Sequence, residues 1–178
     1  KLMKNIFINC AFHSVKMLYI LNKTTWVRIQ FIRYRKWKML NFTSSLNDSS
    51  GAFGIFVTGK YDYEDKARIL SQEQVKKIDS FLRILKEKNK DDEIASFDIS
   101  SKKKCFVIKI KNKPESYFYE EVGGKFFSYI KKFKNIDSVD LYVDSLSEEK
   151  NTLIKFSTEF IFGFNLKSYS FNKYKTLN

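Results

Sequence analysis

The amino-acid sequence predicts an α/β fold in which a mixed sheet carries helices on both faces. Strand-like and helix-like hydrophobic patterns alternate from residue 39 onward, as layered α/β domains require. A hydrophobic content of 43%, with 17% aromatic residues, is sufficient for one core in a chain of 178 residues. Only one proline and six glycines are present, which argues against a loop-rich or repetitive architecture.

The first predicted elements are a buried strand and an amphipathic helix. Residues 54–59 form an apolar run bounded by glycines, which is typical of a buried strand. Ser71 followed by Gln74 matches a capping box. Apolar residues then recur on one helical face at Val75, Ile78, Leu82 and Leu85. The pattern predicts a helix over residues 71–85, and the charged residues 86–93 predict an exposed loop.

Two strands and a second helix are predicted next. Residues 94–99 indicate a short strand, and residues 105–110 are apolar at almost every position, as in a central strand covered on both faces. Pro114 is expected to end this region. The second helix is marked by Val122, Phe126, Ile130 and Phe133, with Phe127 widening its apolar stripe.

The last predicted elements are a strand over residues 139–143 and a long helix. Ser145 with Glu148 offers a second capping box, which places the helix start there. Apolar residues at helical spacing then continue to the end of the helix near Gly163, at Leu153, Phe156, Phe160 and Phe164. With helices separating the strands, the order favours three layers, α/β/α.

The formal net charge of +13 is distributed unevenly. Residues 1–38 contain nine cations and no acid, so only +4 remains for residues 39–178. The chain also has 28 lysines against five arginines together with abundant Phe, Tyr, Ile and Asn, a bias that an AT-rich coding sequence produces by itself. The total charge is therefore weak evidence for a polyanionic partner.

Residues 1–38 form an atypical basic leader, and residues 39–178 form the predicted domain. The favoured interpretation is that translation naturally begins at Met39 and that the leader is upstream read-through. The leader also mixes aromatic and basic residues, as basic surface-binding or targeting segments do. A third interpretation is that it provides an integral first element of the fold.

The two cysteines predict free thiols rather than a disulfide framework. Cys10 and Cys105 lie 95 positions apart in different surroundings, and no convincing secretory signal is visible. Free thiols fit a reducing, cytoplasmic compartment. No run of 18 apolar residues occurs, so the sequence predicts no membrane span.

Side chains that could carry chemistry are few. Cys10 and His13 have the spacing of half a zinc site, but a structural site needs four ligands. His13 is the sole histidine, which leaves no His-based catalytic triad outside the leader. Cys105 is predicted to be a small buried hydrophobic residue, and the neighbouring lysines 102–104 to be a solvated start of its strand. We therefore predict no catalytic, cofactor-binding or metal-binding residue.

The glycines do not form a phosphate-binding loop. Gly51, Gly54, Gly59 and the pair Gly123 and Gly124 match neither a Rossmann fingerprint nor a P-loop. The pair is predicted to permit close packing at the start of a helix.

The last predicted helix leads into a distinctive aromatic segment. Residues 163–175 follow a Gly-x-x-Leu-x-x-Tyr-x-Phe-x-x-Tyr-Lys pattern, matched by Gly163, Leu166, Tyr169, Phe171, Tyr174 and Lys175. This segment resembles the junction between the N-terminal and catalytic domains of the M17 leucyl (cytosol) aminopeptidases. Gly123, Gly124 and Lys125 are similar to the Gly-Gly-Lys opening of a helix in the same family. The resemblance extends over residues 39–178.

The resemblance implies a non-catalytic, macro-domain-like module cut off before its catalytic half. In the family, that half uses two divalent metals, zinc or manganese, to release N-terminal amino acids from peptides. Its Asn-Thr-Asp-Ala-Glu-Gly-Arg motif is absent, because Asn151-Thr152 continues as Leu153-Ile154. The isolated chain is expected to contain no cofactor and to be inactive, although its parent would be an enzyme of proteolysis.

The resemblance also implies partners. The family's N-terminal domain supports hexamer assembly, and some members use it to contact DNA, so the expected partners are the parent catalytic domain or sister subunits. Tyr169, Phe171 and Tyr174 are then packing or interdomain contacts. The alternatives are a basic nucleic-acid-binding module, in which these rings stack on bases beside nearby lysines, and a macro-like nucleotide-binding domain.

Overall fold

The computed structural model of the chain describes residues 51–66, 68–88, 92–111, 117–136 and 138–168, together with the backbone of residues 26–30 and 39–43. Their elements follow the order β1 (Trp26–Gln30), β2 (Met39–Thr43), β3 (Ala52–Thr58), α1 (Gln72–Glu87), β4 (Ile94–Ser100), β5 (Lys103–Ile110), α2 (Phe118–Ile130), β6 (Ser138–Tyr142), a 3-10 turn (Val143–Ser145) and α3 (Lys150–Ser168).

The strands form one mixed sheet in the order β2-β1-β6-β3-β5-β4. β3 is parallel to both β5 and β6, whereas β4 runs antiparallel to β5, and β1 runs antiparallel to β6 and β2. The predicted α/β class with a mixed sheet is confirmed. The finer prediction of a three-layer, macro-domain-like fold stays a prediction.

The core consists of two clusters, because side chains alternate across the pleat of the central strands. One cluster joins α1 to Phe53, Ile55 and Val107. The other joins α2 and α3 to Phe56, Phe106 and further strand residues. Central strands β3 and β5 therefore read as continuous apolar runs, since residues on both of their faces are buried.

Helix α1 begins as its sequence predicts. Ser71 Oγ accepts a hydrogen bond from Gln74 N at 3.2 Å, and Gln74 Oε1 accepts one from Ser71 N at 2.8 Å. These two bonds are the predicted capping box, which satisfies backbone N–H groups that have no partner inside the helix. The helix continues to Glu87, so Lys86 and Glu87, predicted to lie in a loop, are helical.

The second predicted capping box is wrong. Helix α3 begins at Lys150, and Ser145 is fully buried in the 3-10 turn. Ser145 Oγ accepts a hydrogen bond from Phe56 N at 2.8 Å, and its O–H has two acceptors within reach, Tyr142 O at 2.7 Å and Phe56 O at 3.0 Å. The ladder between β3 and β6 ends at Ile55 and Tyr142, so the serine hydroxyl provides a partner for the N–H of the next β3 residue where no strand does.

Part of the predicted leader belongs to the sheet. Trp26–Gln30 is β1, which pairs in register with Ser138–Tyr142 on one side and Met39–Thr43 on the other. Of the three interpretations of the leader, an integral first element is the one with which this pairing agrees. The domain boundary at residue 39 stays a prediction, and Pro114 lies outside the described residues.

Candidate functional site

Helices α2 and α3 contact each other through their backbones. A Cβ atom built on Gly123 would lie 2.0 Å from Phe160 O, and one built on Gly163 would lie 1.8 Å from Glu120 O. Any side chain at either position would force the helices apart. Close packing, predicted for the pair Gly123 and Gly124, is confirmed for Gly123, but the pair lies inside α2 and not at its start, because α2 begins at Phe118.

Aromatic rings hold α3 against the sheet and against α2. Phe156 and Phe160 lie edge-on to Phe56, with ring centroids 4.7 and 5.3 Å apart. Phe164 lies 5.3 Å from Phe127 of α2. Edge-to-face pairs at these distances are favourable beyond the area that they bury. The inner face of α3 is therefore fixed, and the helix cannot rotate about its axis without losing these contacts.

The outer face of α3 carries exposed apolar side chains. Phe162 is 52% exposed and Leu166 is 58% exposed, and their spacing of four residues makes them neighbours on the helix surface. Of the six residues in the aromatic pattern, Gly163 thus packs inside the domain and Leu166 does not. The remaining four, Tyr169, Phe171, Tyr174 and Lys175, lie outside the described residues.

A second surface is formed where the chain enters the parallel strands β5 and β6. Because β3 is parallel to both, the turn before β5 and the connection before β6 meet at the same end of the sheet. Lys104 Nζ lies 5.2 Å from the ring centroid of Phe133, which shows that they are adjacent. We call this surface the lysine end, and it comprises Lys102, Lys103, Lys104, Lys131, Lys132 and Lys134.

The opposite end of the sheet is acidic. Among the described residues, the connections that leave β3, β5 and β6 carry six carboxylates, at Asp62, Glu64, Asp65, Asp144, Glu148 and Glu149, and four cations, at Lys60, Lys66, Arg68 and Lys111. The first turn of α2 adds Glu120 and Glu121 at the same end. Ion pairs form here, such as Lys66 with Glu64 at 2.9 Å and Lys86 with Asp62 at 2.9 Å. The fold therefore places lysines at one end of the sheet and carboxylates at the other, although the two kinds of charge are mixed along the sequence.

Polar groups near the acidic end have structural partners. Asp65 accepts hydrogen bonds from the Tyr142 hydroxyl at 2.9 Å and from the backbone N–H groups of Ile69 and Leu70. Tyr63 donates to Asp79 at 3.0 Å, and burial together with the Asp79 carboxylate raises the pKa of the Tyr63 hydroxyl. These bonds hold the connection between β3 and α1 against β6 and α1.

The candidate nucleophile from the sequence, Cys105, has the surroundings of a structural residue. Cys105 is fully buried in β5, and burial raises the pKa of its thiol, which is the behaviour predicted for a small hydrophobic residue. Cys10 and His13 lie outside the described residues. Within the part of the chain that the structure describes, His, Cys, Asp and Glu form no cluster that could hold a metal ion.

Comparisons with protein-family models, curated proteins and solved structures gave no match to this chain. The similarity to the M17 N-terminal domain therefore stays a prediction from the sequence. No helix among the described residues combines the length and the apolar character needed to cross a membrane.

Proposed function

We propose that the chain is a non-catalytic α/β domain that serves assembly or interdomain contact, as the resemblance to the M17 N-terminal domain implies. The observation that supports this function best is the exposed pair Phe162 and Leu166 on α3. This helix leads directly into the rest of the aromatic pattern, which starts at Tyr169.

The exposed pair has no role in the fold of the described residues. Because the glycine contact and the aromatic rings fix the inner face of α3, Phe162 and Leu166 are held outward. Complete burial of a fully exposed Leu or Phe side chain contributes about 1.5–3 kcal/mol. Because about half of each side chain is exposed here, a partner that covers both gains about 2 kcal/mol in total. The partner proposed is a sister subunit or the catalytic domain of the parent protein.

Sedimentation velocity across a range of concentrations tests the contact. We expect the chain to self-associate and the double variant Phe162→Ser with Leu166→Ser to remain monomeric. A matched control, Ile84→Ser with Tyr117→Ser, removes two other exposed apolar side chains, 43% and 72% exposed, and should associate like the parent chain. Equal association of both double variants, or a parent chain that stays monomeric, would contradict the subunit contact.

The proposal also makes a prediction about activity. Because the chain lacks the carboxylate-rich motif of the two-metal site, we expect it to release no amino acids from a peptide when zinc or manganese is added. Metal-dependent release that follows the purified chain through chromatography would refute a non-catalytic role.

The glycines offer no support for the alternative of a macro-like nucleotide-binding domain. Gly123 and Gly163 are occupied by neighbouring helix backbone, and a Cβ on Gly54 would lie 2.6 Å from Leu141 Cδ2 in the core. These glycines serve packing between elements, which leaves their backbone turned toward protein atoms.

A further inference from the structure

We propose that the lysine end binds the phosphate backbone of nucleic acid without preference for sequence. This inference is independent of the assembly function, since it concerns a different surface of the domain. It depends on three observations about the lysine end, which are its partly offset charge, the position of its ammonium groups over aromatic rings and the lack of a large exposed apolar side chain among its described residues.

Carboxylates offset only part of the positive charge of the lysine end. Lys104 pairs with Asp98, whereas Lys102 and Lys131 are exposed and take part in no ion pair with any described residue. The one further acid in these two connections is Asp137, which lies outside the described residues. A cluster of like charges on one side of a protein raises the local concentration of a polyanion and accelerates its association.

The ammonium groups of several of these lysines lie over aromatic rings. Lys103 Nζ lies 5.9 Å from the Phe53 ring, and Lys132 Nζ lies 5.3 Å from the Tyr129 ring. Such contacts order the side chain and lower the entropy lost when the ammonium group binds a phosphate. The cations of this surface are lysines, which present point charges and lack the bidentate geometry that reads base edges. This chemistry predicts backbone contacts that position the nucleic acid without specifying its sequence.

The described residues of the lysine end include no large exposed apolar side chain, which favours nucleic acid over a membrane surface. A peripheral membrane protein normally adds an apolar anchor to its basic residues. The large exposed apolar side chains of the described residues are Ile84, Tyr117, Phe162 and Leu166, and none lies in the two connections of the lysine end. The aromatic rings in this region, Phe133 and Tyr129, lie beneath Lys104 and Lys132.

Fluorescence anisotropy with labelled single-stranded and double-stranded DNA of unrelated sequences tests the proposal on the full chain. With about four lysine–phosphate contacts, the duplex affinity should fall about 100-fold between about 50 and 200 mM salt. The test variant replaces four lysines by glutamine at Lys102, Lys103, Lys131 and Lys132. This variant should bind DNA at least about 10-fold more weakly. The slope of log affinity against log salt concentration should become shallower by about one for each lysine removed.

A matched control separates the surface from the net charge. The control variant makes the same substitution at Lys60, Lys66 and Lys111 of the acidic end and at Lys88, and so removes the same number of charges. Lys88 follows α1 directly, where Lys86 pairs with Asp62 of the acidic end. Its affinity should change by less than about 3-fold, because its cations lie away from the bound phosphates. Circular dichroism should show that both variants are folded.

Three results would overturn the proposal. Equal losses in the two variants would mean that net charge alone drives binding. Unchanged binding by the test variant would assign the interaction to other cations of the chain, such as those of residues 1–38. Binding to phosphatidylserine vesicles, with none to either form of DNA, would identify the lysine end as a membrane surface.

Discussion

The two core clusters are built by different means. In one cluster, α1 contributes Ile78, Leu82 and Leu85, which recur at helical spacing, and a capping box fixes its start. In the other, α2 and α3 meet at Gly123 and Gly163 and pack aromatic rings against the sheet.

The difference between the two clusters lies in what specifies each helix. An amphipathic stripe and a cap specify α1 locally, within residues adjacent in sequence. The pair α2 and α3 is specified by the absence of side chains at two glycines that lie 40 positions apart. We therefore expect small changes of volume to be tolerated worse between α2 and α3 than changes of polarity at the start of α1.

The largest effect is expected at Gly163. Gly163→Ala places a Cβ 1.8 Å from Glu120 O, so α2 and α3 must separate, at a cost of about 3 kcal/mol in the free energy of unfolding. Gly124→Ala is the matched control, since the nearest atoms to its Cβ on α3, Gly163 O and Lys167 Cβ, would lie 3.6 Å away and alanine favours a helix by about 1 kcal/mol. Urea unfolding measures both, and similar stabilities for the two variants would refute the close contact.

An intermediate effect is expected at Ser145, where the chain passes from β6 toward α3. Ser145→Ala leaves the N–H of Phe56 buried without the hydroxyl that now accepts its hydrogen bond, which should destabilise the domain by about 2 kcal/mol. Ser157 is also buried but donates to Leu153 O within α3, so Ser157→Ala should cost less than about 0.5 kcal/mol. The prediction fails if the two denaturation midpoints coincide.

The smallest effect is expected at the start of α1. Ser71→Ala removes the acceptor for Gln74 N and should lower the free energy of unfolding by about 1 kcal/mol. Ser80→Ala, an exposed serine that donates to Lys76 O inside the helix, should change stability by less than about 0.5 kcal/mol. A loss of stability at Ser71 as large as that at Gly163 would remove the distinction between the two clusters.

Capping and apolar patterns predicted those helices and strands that are specified by residues close together in the sequence. The capping box and the apolar stripe gave α1 to within two residues of its end, and the apolar run at 105–110 gave most of β5. The same capping pattern at Ser145 and Glu148 failed, because the serine is needed by the backbone of Phe56 in a distant strand. A local sequence pattern cannot reveal that Phe56 N–H needs this acceptor, since the need arises from the pairing of β3 with β6.

The candidate surfaces depend on topology as well as on sequence. Lysines 102–104 were visible as a charged start of a strand, but their proximity to Lys131 follows from the parallel arrangement of β5, β3 and β6. Leu166 was identified from the aromatic pattern, whereas the exposure of Phe162 beside it required the packing of α3. The strand at Trp26–Gln30 was missed because basic composition dominated the interpretation of residues 1–38.

The position of β1 has a consequence for any shorter form of the protein. β1 is the sole link between β2 and the rest of the described sheet, and it covers one side of β6 along its full length. A polypeptide that started at Met39 would leave β6 as an open border with unpaired peptide groups, onto which an extended segment of another molecule could add. Removing the first 38 residues would therefore convert β6 from an interior strand into an edge strand that is open to pairing with other molecules.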